Sequence, residues 1–308
     1  MTRRILGCTA LAVLFYTPCF SSVGWQASPA EAETAPREIP FEIVNGHLIE
    51  VRGSIGAHTK LRFLVEVGTP RTMLDSELGQ RNENAGNANQ TKASASALQT
   101  EVLLKNFLLG SVPMAEIRVI STDLSQMPAV PPGVAGIVGL DLLQQQNVTI
   151  DYFEKKIFLS ARTDGEHQAP IVLNDAGLAV DSNWKGNPLK LILSTGVEAV
   201  ALDQDRVSQR AIKLPDLRSG SFHDDRGTST SIFEMKELVL GNAKLTCMGV
   251  VRKMEWPKGS EQLMGFLPLE ALRAKRVSFD FEKKMLFWDA SSASSEKTKL
   301  ASNGSKQN

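Results

Sequence analysis

Apolar residues in this chain fall in short runs rather than helical stripes. "HLIEVRGSI" from His47 and "LRFLVEVG" from Leu61 are β-favouring segments bounded by glycine, which predicts strands. "VTIDYFEKKIFLS" (Val148 to Ser160) alternates on either side of Phe-Glu-Lys-Lys, the pattern of a hairpin. Helices are predicted only briefly. One begins at Asp75 and a second at Asp203, because each aspartate follows an apolar residue and can accept hydrogen bonds from the first free N–H groups of a helix. A third follows Gly139 at "LDLLQQQ", with "LPLEALRA" after Gly265 as its match. Many short strands and few helices predict an all-β chain.

The same pattern occurs twice. "KNFLLGSVPMAEIRVI" (Lys105 to Ile120) answers "KELVLGNAKLTCMGVV" (Lys236 to Val251), and "LRFLVEVGTPRTMLDSEL" answers "LKLILSTGVEAVALDQDRV" (Leu189 to Val207). "AGIVGLDLLQQQNVTIDYFEKKIFL" (Ala135 to Leu159) answers "EQLMGFLPLEALRAKRVSFDFEKKMLF" (Glu261 to Phe287). Gly68 and Gly196 are 128 positions apart, Gly139 and Gly265 are 126, and Asp151 and Asp280 are 129. Segments in one order at near-constant separation indicate an internal duplication. The predicted units are 33–160 and 161–289, joined through the turn-rich "ARTDGEHQAP". Each unit, built of short strands, predicts a β-barrel.

The two ends read differently from the middle. Arg3 and Arg4 precede an apolar run from Ile5 to about Phe20, and Ala30-Glu31-Ala32 follows. That is the form of an export signal and processing region over 1–32, cleaved between residues 24 and 32. The run is shorter than the roughly 20 residues a membrane span needs, and Pro18 interrupts it. The expectation is an exported protein, periplasmic or secreted, with no transmembrane segment after cleavage. Cys8 and Cys19 fall in the signal, which leaves Cys247 alone, without an internal disulfide and inert. The segment 290–308, with almost no apolar content, is predicted to be a disordered tail.

With 34 basic and 34 acidic residues the formal charge is zero, which gives no reason to expect a nucleic-acid partner. Four scattered histidines lack metal-ligand spacing, so neither a metal nor another cofactor is expected.

The stretch "RFLVEVGTPRTMLDSEL" (Arg62 to Leu78) resembles the active-site segment of the aspartic protease superfamily, retropepsins and pepsin-like enzymes, and is most similar to exported bacterial retropepsin-like proteins. "GIVGLD" and "QLMGFL" resemble the element that crosses behind each active-site loop, and "IPFEIVNGHLIEV" resembles the family's first strands. The resemblance covers nearly all of the chain after the signal. It implies a bilobal double β-barrel in which each lobe supplies one Asp-Thr-Gly loop.

At the matching positions this chain has Glu66-Val67-Gly68 and Ser194-Thr195-Gly196. The family's reaction needs two carboxylates sharing one proton, so that one activates water while the other protonates the substrate carbonyl. Glu66 keeps one carboxylate, a methylene too far out, and Ser194 has none. In the family each motif threonine bonds across to the other lobe; Thr195 is kept and Val67 offers no donor. The position four after the aspartate, often Ser or Thr in the family, is Pro70 in one unit and Glu198 in the other. The family's covering flap falls at Asn82–Thr100, polar and read as a surface loop, and at Leu217–Met235, where Phe222 is a candidate apolar anchor. Three readings follow. The leading one is a catalytically silent protease-like protein that binds an extended peptide between the lobes. A second is an aspartic-type endopeptidase using Glu66 with a displaced carboxylate, Glu198. A third is a structural or interaction protein.

Overall fold

The computed structural model describes residues 37–83, 100–161, 163–215, 218–223 and 229–290. The predicted signal, the tail from 291 onward, the first flap interval from 84 to 99 and the tip of the second at 224–228 lie outside the described residues.

Among them the chain is mostly β-strand, with few and short helices. The first half runs β1 (Arg37–Val44), β2 (Leu48–Ile55), β3 (His58–Val65), β4 (Met73–Asp75), α1 (Ser76–Glu83), β5 (Thr100–Leu104), β6 (Phe107–Leu109), β7 (Val112–Pro113), β8 (Ile117–Thr122), β9 (Gly136–Val138), α2 (Leu140–Leu143), β10 (Val148–Asp151) and β11 (Lys156–Leu159). The second half runs β12 (His167–Asn174), β13 (Gly177–Trp184), β14 (Asn187–Ser194), β15 (Val200–Asp203), α3 (Gln204–Gln209), β16 (Arg218–His223), β17 (Ser229–Leu240), β18 (Ala243–Arg252), β19 (Leu263–Pro268), β20 (Ala274–Asp280) and β21 (Met285–Ala290).

The second half closes on itself as a β-barrel. β13 pairs with β14, β14 with β19, β19 with β15, β15 with β18, β18 with β17, and β17 returns to β13. The first half repeats this order of partners: β2, β3, β9, β4, β8 and β5, with β6 returning to β2. The two circuits differ in how their strands are divided: β18 is continuous where its counterpart is split into β7 and β8, and β17 differs likewise. β17 runs unbroken through Glu237, whereas its counterpart breaks at Asn106 into β5 and β6; both residues take left-handed backbone, at φ 56° and φ 50°. A third sheet joins the halves, in the order β1, β11, β10, β20, β21, β12, all antiparallel. At its centre Thr149 faces Ser278, and their hydroxyl oxygens lie 2.9 Å apart in a buried setting.

The predicted hairpin is present as β10 and β11, and its turn lies at Tyr152–Lys155. Both aspartates act as helix starts: Asp75 Oδ1 accepts from the Glu77 N–H (3.0 Å) and Asp203 Oδ1 from the Arg206 N–H (2.9 Å). Each also binds a second loop through its other oxygen, Asp75 to the Leu124 N–H and Asp203 to the Met254 N–H. That double duty explains why the same residue type recurs at both places. The third predicted helix is a single turn, α2, and its counterpart Leu269–Leu272 is a 3-10 turn.

One alignment of the repeat needs correcting. Gly136 and not Gly139 is the counterpart of Gly265, because Gly136 lies opposite Phe63 and Leu74, and Gly265 opposite Leu191 and Leu202. The separation becomes 129, in line with the other pairs, and Asp141 becomes the counterpart of Glu270. Strand pairing decides this; two glycines three residues apart on one line of sequence do not.

Candidate functional site

β3 is buried over its last three residues and β14 over its last four, so both reach the junction from a fixed support. β3 leads into Glu66, whose N–H donates to the Val138 carbonyl at 3.0 Å, and β14 ends at Ser194, opposite Pro268 of β19. The two loops meet there. Glu66, Val67 and Gly68 come from the first half, and Ser194, Thr195 and Gly196 from the second.

The contacts between the loops are unequal. The Thr195 hydroxyl donates to the Val65 carbonyl oxygen at 2.6 Å and accepts from the Val67 N–H at 3.4 Å. Val67, buried at 1% exposure, returns no hydroxyl to the second half. The Glu66 carboxylate is held by backbone from both sides: Oε1 accepts from the Gly68 N–H (2.6 Å) and from the Thr195 N–H (3.1 Å). Oε2 lies against Gly196, where a Cβ would come within 2.3 Å of it, so any side chain at 196 would displace the carboxylate. Ser194, 4% exposed, accepts from the Gly196 N–H at 3.0 Å, and its hydroxyl hydrogen-bonds to Glu66.

Burial pushes the Glu66 pKa up. The N–H groups of Gly68 and Thr195 and the hydroxyls of Ser194 and Thr195 favour the charged form without cancelling that effect. The Tyr152 phenol is also raised, first by burial and then by the negative fields of Glu270 and Glu66, so it stands close to both carboxyls. The junction thus presents one carboxyl with a raised pKa, facing a hydroxyl. Two backbone donors that could stabilise a developing oxyanion are already engaged by Glu66.

Glu198 takes a different direction. It is exposed, and its Oε1 lies 3.2 Å from Nδ1 of His47, in the turn between β1 and β2 of the first half. Glu270 joins this group: burial raises its pKa, the His47 charge lowers it and the Glu198 charge raises it. Neither His47 nor Glu270 was singled out by the sequence; pairing Gly136 with Gly265 would have placed Glu270 at an acidic position shared with Asp141. Asp141 itself is structural, accepting from the N–H and hydroxyl of Thr72.

Phe222 lies on β16 opposite Thr230, so the second flap interval contains a strand pair where a loop was expected in the first. Cys247 is partly buried, and burial pushes its thiol up to about 11, which suits an inert residue. In a surface hollow of the second half Arg206 lies over the Trp256 ring and Phe266 stacks on it. The polar groups there hold the loop to α3, since Asp203 also accepts from the indole N–H. No helix among the described residues is long and apolar enough to cross a membrane. No family model matches the chain, and none of the curated proteins resembles it in sequence.

Proposed function

We propose that this chain is an exported, pepsin-like double-barrel protein that has lost peptide hydrolysis and binds an extended peptide in the groove where its halves meet. One observation carries the reading: the facing partner of Glu66 is the Ser194 hydroxyl. Hydrolysis by a carboxyl pair needs a base to take a proton from water and an acid to give one to the carbonyl. A serine hydroxyl, with no charge to share and no proton to release near neutral pH, performs neither role. Glu198, the other carboxylate on that loop, is turned to His47. The glycines at 68 and 196 let the two loops close on the Glu66 carboxylate, and an extended peptide laid beside those loops would gain main-chain hydrogen bonds without needing a carboxyl pair.

The test compares cleavage with binding. The purified chain without its first 32 residues is incubated with casein and with an extended-peptide library from pH 2 to 7. Peptides should be retained and recovered whole. Turnover that pepstatin blocks and Glu66→Gln abolishes would overturn the reading. The triple change Glu66→Asp, Val67→Thr, Ser194→Asp rebuilds both motifs, and acid-range cleavage by that variant is the expected gain.

A further inference from the structure

The halves touch at two symmetry-related places beside the Glu66 loop, and at one of them two ionisable side chains meet across the junction. On one side the second-half turn before β13 packs on the first-half loop. Gly177, at φ 136°, sits so close that a Cβ would meet the Gly68 carbonyl oxygen at 2.5 Å, and its neighbour Ala176 is apolar. On the other side the first-half turn before β2 packs on the second-half loop through His47. Nδ1 of His47 is 3.2 Å from Glu198 Oε1 and 3.0 Å from the Asn45 carbonyl oxygen of its own turn, so a proton there serves both acceptors. The His47 side chain is 13% exposed and that of Glu198 48%, so the bond is sheltered on the imidazole side. Glu270, after β19, is a further charged group coupled to this pair.

We propose that His47 is a pH-dependent tie across the junction, fastening the turn 44–48 to the loop 194–199 when the imidazole is charged and releasing it when neutral. A charged imidazole attracts both carboxylates and offsets their mutual repulsion. A neutral one with its proton on Nδ1 keeps that shared proton but carries no charge to offset the repulsion between Glu198 and Glu270. Imidazole is the side chain whose charge changes between pH 5 and 8, which sets the window. At lower pH burial favours the protonated form of Glu270, which weakens its part in the pair. The loop that is released carries Thr195, which donates to Glu66 and bonds across to Val65, so the tie acts on the frame of the site. It does so whether or not a peptide lies in the groove.

Hydrogen exchange of the full chain tests this, with rates corrected for the intrinsic effect of pH. Protection of 44–48 and 194–199 should fall about 2- to 5-fold between pH 6 and pH 8, the range expected of a partly exposed ion pair. In His47→Gln and Glu198→Gln protection should be low at both pH values. The turn 174–177 reports global changes and should behave alike in all three proteins. Unchanged pH dependence in His47→Gln, no dependence in the parent, or a fall shared equally by 174–177 would each overturn the proposal.

Discussion

Glu66 is a carboxyl whose folded-state pKa stands above its unfolded value, because burial outweighs the hydrogen bonds that it accepts. Such a group contributes stability that is fully present below its unfolded pKa, about 4.3, and is lost as pH rises through the folded value. Glu66→Gln keeps an acceptor for the Gly68 and Thr195 N–H groups and removes the charge. Melting temperatures of the two proteins should therefore be similar at pH 4, and the variant should melt higher at pH 8. A gap of constant size across that range would show that the carboxyl is not buried in the way described. Thr195 is the second residue on which the junction depends. Thr195→Val keeps the shape but leaves the Val65 carbonyl and the Val67 N–H without their partner, at a cost of about 1–3 kcal/mol by urea unfolding. A cost below about 0.5 kcal/mol would mean that the two loops are held by packing alone.

At the scale of elements, β2 and β3 carry a charge pair whose carboxylate is buried, whereas in the corresponding pair of the second half, Lys190 with Asp181 at 3.4 Å, the carboxylate is exposed. Glu50, 4% exposed, accepts from Arg62 at 2.9 Å and 2.6 Å, a two-pronged bond across adjacent strands. Arg62→Met would leave the carboxylate buried with only Arg52, 3.7 Å away, for compensation. The expected cost is about 3 kcal/mol, since breaking a buried pair strands the remaining charge. Denaturant unfolding at neutral pH checks this, and an unchanged stability would mean that Arg52 compensates the charge. Periodicity made these strands legible and left the pair out of sight, because alternation says which face a side chain is on and not what lies diagonally opposite. Helix starts were legible for a local reason: Asp75 and Asp203 act within two or three residues of themselves. Helix lengths were not, since α2 stops after one turn where its polar residues have no core to face.

At the scale of the whole molecule, the shared sheet binds the halves through β10 and β20. Val148 lies opposite Phe279, Thr149 opposite Ser278 and Ile150 opposite Val277. A fragment ending after β11 would free the edge of β10 that faces β20, on a strand with two buried apolar residues, while its other edge stays paired with β11. Replacing β20 by a second β10 puts Thr149 opposite Thr149 and Val148 opposite Ile150 in the same antiparallel register. Residues 37–161 alone are expected to form a dimer, measurable by sedimentation, and Thr149→Lys should make it a monomer. A stable monomeric fragment with unchanged Thr149 would mean that the edge is covered in some other way.

By itself the sequence determined the β character, the hairpin at Val148–Leu159, the helix starts at Asp75 and Asp203, and the repeated order of segments. Each depends on neighbours along the chain: side-chain alternation, capping within one turn, and similarity between two stretches of text. It also marked Glu66 and Ser194 as the positions to compare, through a resemblance carried by their flanking residues. Only the tertiary structure decided that Gly136 answers Gly265, that Thr195 bridges to Val65 while Val67 returns nothing, and that Glu198 turns to His47. The first rests on strand pairings 62 to 74 positions apart, and the others are contacts between residues 128 to 151 positions apart in sequence. Their partners are selected by strand register and by the space left at Gly196 and Gly177, and neither quantity exists until the sheets have formed.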